Sequence, residues 1–173
     1  QEACINADLL SATARFGEAL AAIPVSLEDE PVLELRAARH PLLALASEHD
    51  VVANDLSVSG GRVLVVSGPN AGGKTVALKC LGLAALMARA GLPLPVAPGS
   101  RVGWFDAVLT DVGDDQSIAR SLSTFSAHVT NLAEILSLSG KRALVLLDEL
   151  AGGTDPEEGA ALAAAVLDHL AAR

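Results

Sequence analysis

The sequence is poor in the residues that staple or metallate a fold. It has two cysteines, Cys4 and Cys80, and four histidines, His40, His49, His128 and His169, scattered along 173 residues. No Cys/His cluster stands at zinc spacing, which argues against a structural zinc site or a disulfide scaffold; such thiol usage fits a reducing compartment, and a cytoplasmic location is expected. Positive charge is also short, with 12 Lys and Arg against 21 Asp and Glu and a net charge of −9. That balance argues against a broad nucleic-acid face or an anionic-membrane anchor within this segment. Long apolar runs are missing too. The most apolar stretch, Val76 to Ala90, is interrupted by Lys79 and Arg89 and falls short of the roughly 20 residues that span a bilayer, so no membrane partner is expected. The chain opens on Gln1 without the basic-then-apolar order of a secretory signal, as expected of a piece cut from something longer. Its length and its 51% hydrophobic content suit one core of ordinary size.

Hydrophobic periodicity orders the chain. Leu9, Phe16, Leu20 and Ile23 recur at helical spacing until Pro24, and the acidic stretch Ser26 to Pro31 then reads as a linker. The sparse stripe fits either the tail of a helical domain or a helix capping the domain that follows. Leu33, Leu35 and Ala37 alternate with Glu34 and Arg36, the pattern of a half-exposed strand, which could pair with Val51 to Val58. Val63 to Ser67 is a continuous β-branched run of the kind found where helices cover both sheet faces, and it predicts the first central strand. Thr75 to Ala90 is apolar nearly all round and predicts a buried helix, in which Cys80 acts as a small hydrophobe. Two further helices are marked by Phe125, Val129, Leu132 and Leu136 and by Leu162, Val166 and Leu170. Asp155-Pro156-Glu157-Glu158 supplies the second with a cap, a first-turn proline and acids at the positive end of its dipole. Between the two, Ala143 to Leu147 is another apolar strand, ending in Asp148-Glu149.

Gly68-Pro69-Asn70-Ala71-Gly72-Gly73-Lys74-Thr75 fits G-x-x-x-x-G-K-[ST] between a predicted strand and a predicted helix, the context such a phosphate loop needs. Glycines let successive N–H groups curl round phosphate oxygens, and the helix start points its free N–H groups and dipole at the same charge. Lys74 would neutralise the β- and γ-phosphates and the Thr75 hydroxyl would ligate Mg²⁺. Asp148-Glu149, at the carboxyl end of a buried strand, supplies one carboxylate near Mg²⁺ and one able to orient or activate water. Taken alone, the two acids could equally be a solvated strand end. Ser123-Thr124 opens the Phe125 helix, where a hydroxyl either caps its own helix or joins the free N–H groups in binding an anion. Gln116, by itself, is a polar residue in the acidic loop Asp111 to Gln116.

Together these strings resemble the ATPase domain of the MutS family, a branch of the ABC-type ATPases. They are Arg39-His40-Pro41, Ala53-Asn54-Asp55-Leu56, Gly68 to Thr75, Ser123-Thr124-Phe125 and Asp148-Glu149-Leu150, in the family's order. Gly113-Asp114-Asp115-Gln116-Ser117, Leu122 to Ser126 and Gly153 to Gly159 resemble more narrowly the second bacterial branch, which lacks the mismatch-reading domain and usually carries an Smr nuclease domain. Ser121 and Gly152 stand where the mismatch-repair branch has a glycine and an arginine, which fits the second branch better.

The resemblance implies an α/β fold, an ABC-type P-loop NTPase with a mostly parallel central sheet flanked by helices and an N-terminal antiparallel strand region. It implies that residues 1–31 are the end of a helical core or lever domain with its linker. Residues 32–173 would be the ATPase domain without its last strand and switch histidine. ATP with Mg²⁺ is the implied cofactor, sandwiched between two subunits of a homodimer. Gly68, Pro69, Asn70, Ala71, Gly72, Gly73, Lys74, Thr75 and Val76 would cradle the nucleotide, with Thr75 and Asp148 on Mg²⁺. Glu149, Lys74 and Gln116 would serve catalysis, and Ser123 would reach the γ-phosphate held by the opposite subunit. No aromatic residue near Asn54 offers adenine a stacking surface. The implied function is a dimeric ATPase motor whose targets, branched DNA in suppression of recombination or stalled ribosomes and their rRNA, are gripped outside this segment. Alternatives are a nucleotide-gated clamp with incidental hydrolysis and a mismatch-repair ATPase. A small-molecule kinase fits less well, because no Arg-rich lid follows the phosphate loop.

Overall fold

A computed structural model describes residues 1–46, 51–69, 72–112, 123–150 and 155–172. The chain is α/β, with mixed sheets and two compact units. One comprises Gln1–Ser59 and Lys79–Trp104, the other Gly60–Leu78 and Phe105–Arg173.

In the first unit, helix α1 (Glu2–Leu20) stops at Ala21, which adopts the left-handed conformation (φ 46°). The N–H groups of Ala21 and Ala22 turn back to the carbonyls of Glu18 and Gly17, the paired bonds of a Schellman end with alanine where glycine is usual. The helical stripe expected to reach Ile23 is therefore cut short. Ile23 instead exchanges backbone hydrogen bonds with Leu94. Arg39 reinforces this end by donating from Nη2 to the Leu20 carbonyl at 2.5 Å, a cation at the negative pole of a helix.

The sheet of this unit has the order β1-β4-β2-β3, with β1 at Leu27–Glu28, β2 at Val32–Ala38, β3 at Asn54–Ser59 and β4 at Arg101–Gly103. β2 runs antiparallel to β3, with Leu33 opposite Val58 and Leu35 opposite Leu56, as the alternation of β2 leads one to expect. The ladder slips between Leu35 and Ala38. There Ala37 has φ 46° and its N–H is taken by Asp55 Oδ1 at 2.8 Å, so the aspartate of the Ala53 to Leu56 string fastens a β-bulge. β4 pairs antiparallel with β2 and parallel with β1, turning part of the expected linker into a strand. Leu20, Leu33, Leu35, Leu94 and Val102 are fully enclosed and form the centre of the core. His40 is also buried and precedes helix α2 (Pro41–Ala46); its Nδ1 accepts from Leu43 N–H at 3.4 Å, and Pro41 occupies the first helical position.

The second unit contains the parallel pair β5 (Ala107–Asp111) and β6 (Ala143–Leu147), matched over five residues from Ala107 opposite Ala143 to Asp111 opposite Leu147. Helix α4 (Ser123–Leu138) connects them, and α5 (Pro156–Ala171) follows β6. Leu132 and Ile135 of α4, Leu144 and Leu146 of β6 and Val166 of α5 are buried. Asp155 caps α5 through Glu157 N–H at 2.9 Å, with Pro156 next to it. Asp111 thus ends a strand, where a loop was expected to begin. Helix α3 (Lys74–Arg89) opens in this unit, and the division between units falls within it. Further along α3, Cys80 is buried, and that burial pushes its thiol up to about 11, as suits a small hydrophobe.

A further expected element differs. Residues 63–67 form no ladder with any described residue, and Val65 is 68% exposed. An apolar β-branched run favours extended backbone, but a strand exists only where a neighbour supplies its hydrogen bonds. The parallel pairing observed in this unit is confined to β5 and β6.

Candidate functional site

The loop leading into α3 uses glycine where its backbone requires it. Gly68 has φ 146° and Gly73 φ 81°, conformations that a Cβ disfavours. Gly72 N–H closes a turn on the Pro69 carbonyl, and Ala77 N–H bonds to Gly73, so the helical ladder starts there. Lys74, the first residue of α3, folds back to donate from Nζ to the Gly68 carbonyl at 2.6 Å. The ammonium, the loop and the first N–H groups of a helix therefore converge, an arrangement suited to phosphate.

Thr75 links this loop to the end of β6. Its Oγ1 donates to Asp148 Oδ2 at 2.6 Å. Asp148 is fixed in turn by its N–H, which bonds to the Asp111 carbonyl at 2.9 Å and carries the parallel ladder one residue beyond β6. The chain then turns sharply: Glu149 is exposed and has φ 51°, a left-handed backbone that costs a non-glycine residue about 1 kcal/mol. That turn separates the two carboxylates, leaving Asp148 on Thr75 and Glu149 toward solvent.

A further polar group surrounds Asp111. Asn131 Nδ2 donates to Asp111 Oδ1 at 2.7 Å, and His128 Nδ1 lies 2.5 Å from Oδ2, without the alignment of a regular hydrogen bond. His128 and Asn131 stand three residues apart on α4 and so share a face. Sequence analysis missed this cluster because β5 itself was not foreseen. The available signal was the His128/Asn131 spacing.

The model for MutS domain V matches residues 64–173. The chain belongs to the MutS family. Proteins named Endonuclease MutS2 are similar to it: that of Listeria monocytogenes serovar 1/2a is 51% identical over 162 residues, covering 93% of this chain and 20% of its own length. That of Pelotomaculum thermopropionicum is 49% identical over 170 residues (98% and 21%), and that of Enterococcus faecalis 47% over 167 (96% and 21%). These likenesses put the chain in the second bacterial MutS branch, and it spans about one fifth of the length of these relatives. MutS-family proteins are ATPases that use ATP and Mg²⁺.

Of the residues that the MutS resemblance singles out, Gly68, Pro69, Gly72, Gly73, Lys74, Thr75, Val76, Asp148 and Glu149 lie in the loop, the first turn of α3 and the end of β6. Ser123 is the first residue of α4, its side chain lying outside what is described. Asn70, Ala71 and Gln116 lie outside the described residues. Among the described residues no group of three or more His, Cys, Asp or Glu could hold a metal. The hydroxyl and single carboxylate of Thr75 and Asp148 nevertheless fit Mg²⁺, a hard cation that takes one or two protein oxygens and completes its shell with phosphate and water. No helix among the described residues is long and apolar enough to cross a membrane.

Proposed function

We propose that this chain binds and hydrolyses ATP as the motor domain of a MutS2-type protein. The 2.6 Å bond between Thr75 and Asp148 carries the reading, because it joins the hydroxyl of a phosphate loop to the carboxylate of a strand end, the pair that a magnesium nucleotide requires. Backbone N–H groups of residues 68–76 other than Pro69 bind the phosphates, and Lys74 leaves the Gly68 carbonyl to pair with their charge. Thr75 and Asp148 would hold Mg²⁺, which supplies charge neutralisation between the phosphates when bound. Glu149, turned toward solvent, accepts a hydrogen bond from the attacking water and aims it, with Gln116 as a second polar contact. Ser123 acts on the nucleotide of a second copy, so that ATP closes a homodimer.

In this reading residues 1–31 end a helical lever, residues 32–173 are the ATPase domain, and residues 63–67 join a mostly parallel central sheet in the full-length protein. The relatives' printed name, endonuclease, favours DNA as the target of the whole protein over a ribosome, and DNA contacts would lie outside this acidic segment. The test is sedimentation velocity and phosphate release on the full-length protein carrying Glu149→Gln. Turnover should stop while MgATP compacts or tightens a dimer, and Ser123→Ala should remove that response. Identical behaviour of Lys74→Ala and Glu149→Gln would instead favour a clamp gated by nucleotide occupancy.

A further inference from the structure

Asp111 stands between two parts of the second unit that the proposed ATPase cycle must connect. Its carboxylate is held from α4 by Asn131 at 2.7 Å, with His128 Nδ1 beside it at 2.5 Å but not aligned as a hydrogen bond, while its backbone carbonyl holds Asp148 at 2.9 Å. Asp148 in turn holds Thr75. An unbroken series of short polar contacts therefore runs from the middle of α4 to the first turn of α3. His128 and Asn131 lie about one and a half and about two turns beyond Ser123, the first residue of α4, and rigid helices and hydrogen-bond networks are the elements that carry coupling between sites. Asp111 is only 19% exposed, and the His128 Nε2 atom is buried with no hydrogen-bond partner among the described residues. The Asn131 bond survives a shift of α4 only if Asp111 moves with it, because breaking away would leave its donor and the Asp111 Oδ1 without each other.

We propose that Asp111, hydrogen-bonded by Asn131 and flanked by His128, is a positioning residue that ties the placement of Asp148 to the position of α4. Contact made at the start of α4 is thereby reported to the carboxylate end of β6. The inference rests on the ATPase reading above. It concerns turnover, since among the described residues the Asp111 carboxylate and Asn131 make no hydrogen bond to the phosphate loop, and Asp111 meets Asp148 only through its backbone carbonyl.

Steady-state ATP hydrolysis by the full-length protein, with thermal unfolding measured alongside, tests it. Asn131→Ala and Asn131→Asp, which both remove the donor to the Asp111 carboxylate, should each lower kcat by about tenfold, the scale of one lost hydrogen bond to a charged group, with KM for ATP within about twofold of the parent. The reciprocal exchange Asp111→Asn with Asn131→Asp keeps one donor facing one acceptor, and should recover kcat to within about threefold. Ser123→Ala combined with Asn131→Ala should be no slower than Ser123→Ala alone, because both interrupt one route. The proposal is overturned if the single variants keep full kcat, if kcat falls only together with melting temperature or with a rise in KM, if the exchange rescues nothing, or if the Ser123 and Asn131 losses multiply. If the exchange variant does not fold, Asn131→Gln, which keeps the donor, should retain turnover that Asn131→Ala loses, and equal loss in both overturns the idea. A parent protein that releases no phosphate sinks the ATPase reading itself, and this inference with it.

Discussion

Replacing Thr75 by alanine isolates the contact on which the functional reading depends. The hydroxyl donates to Asp148 Oδ2 at 2.6 Å in a part-buried setting. Hydrogen bonds to charged groups contribute about 1.5–3 kcal/mol, and partial exposure selects the lower end, about 1.5 kcal/mol. The lost methyl adds little where the side chain is half-buried, and alanine's better helix propensity offsets it by a few tenths of a kcal/mol. A net loss of about 1.5 kcal/mol corresponds to a fall in melting temperature of about 3–6 °C for a chain of this size. Urea unfolding followed by circular dichroism, with a chelator present, measures the contact free of any metal. Thr75→Ser should cost less than about 0.5 kcal/mol, because the donor survives. A double-mutant cycle with Asp148→Asn should return a coupling of about 1 kcal/mol. Equal losses in Thr75→Ala and Thr75→Ser, or coupling indistinguishable from zero, would refute the pairing and with it the proposed Mg²⁺ donor set.

Two other expectations concern the first unit. A Cβ on Gly103 would be driven into the backbone of Glu30 and Val32, in a strand with neighbours on both sides, so Gly103→Ala should cost about 3 kcal/mol of unfolding free energy. Gly91→Ala is the control: its φ is 74° but nothing lies within reach of a Cβ, so only about 1 kcal/mol of backbone strain is expected, and equal costs at the two sites would show that the clash is relieved. Burial, aided by the charge of Lys79, holds His40 below its ordinary value of 6.5. The unfolded chain therefore takes up a proton that the folded one resists, and stability falls as pH drops below about 6.5. His40→Gln should flatten the change in urea midpoint between about pH 7.5 and pH 5.5; an unchanged slope would assign the pH dependence elsewhere.

The features legible in the sequence are those written into a few adjacent residues. Gly68 to Thr75 states its own turn, helix start and charge, and Asp155-Pro156 states the start of α5. Ala143 to Leu147 with Asp148 declares a buried strand and what it delivers. Elements that depend on distant partners were not legible. β4 is three residues long and exists because β1 and β2 flank it, its Arg101 reaching Glu28 across 73 residues of chain. The same dependence explains residues 63–67, whose composition favours a strand but whose pairing no local pattern can supply.

The matched strings carry a related lesson about role. Arg39-His40-Pro41 and Ala53 to Leu56 carry part of the resemblance, ahead of the residues that the family model matches, and here they act as fasteners. Arg39 ends α1, His40 and Pro41 begin α2, and Asp55 pins the bulge at Ala37. Two of them join segments well separated along the chain, Arg39 to Leu20 over 19 residues and Asp55 to Ala37 over 18, while His40 acts locally on Leu43. Their side chains could be replaced by others that cap a helix or hold a bulge, whereas the Mg²⁺ role proposed for Thr75 and Asp148 requires oxygen at both positions. A resemblance therefore locates both kinds of residue, and the hydrogen-bond partner of each separates fastening from chemistry. By that criterion Asp111 belongs with neither group alone, since its side chain fastens α4 while its carbonyl fixes the carboxylate assigned to Mg²⁺.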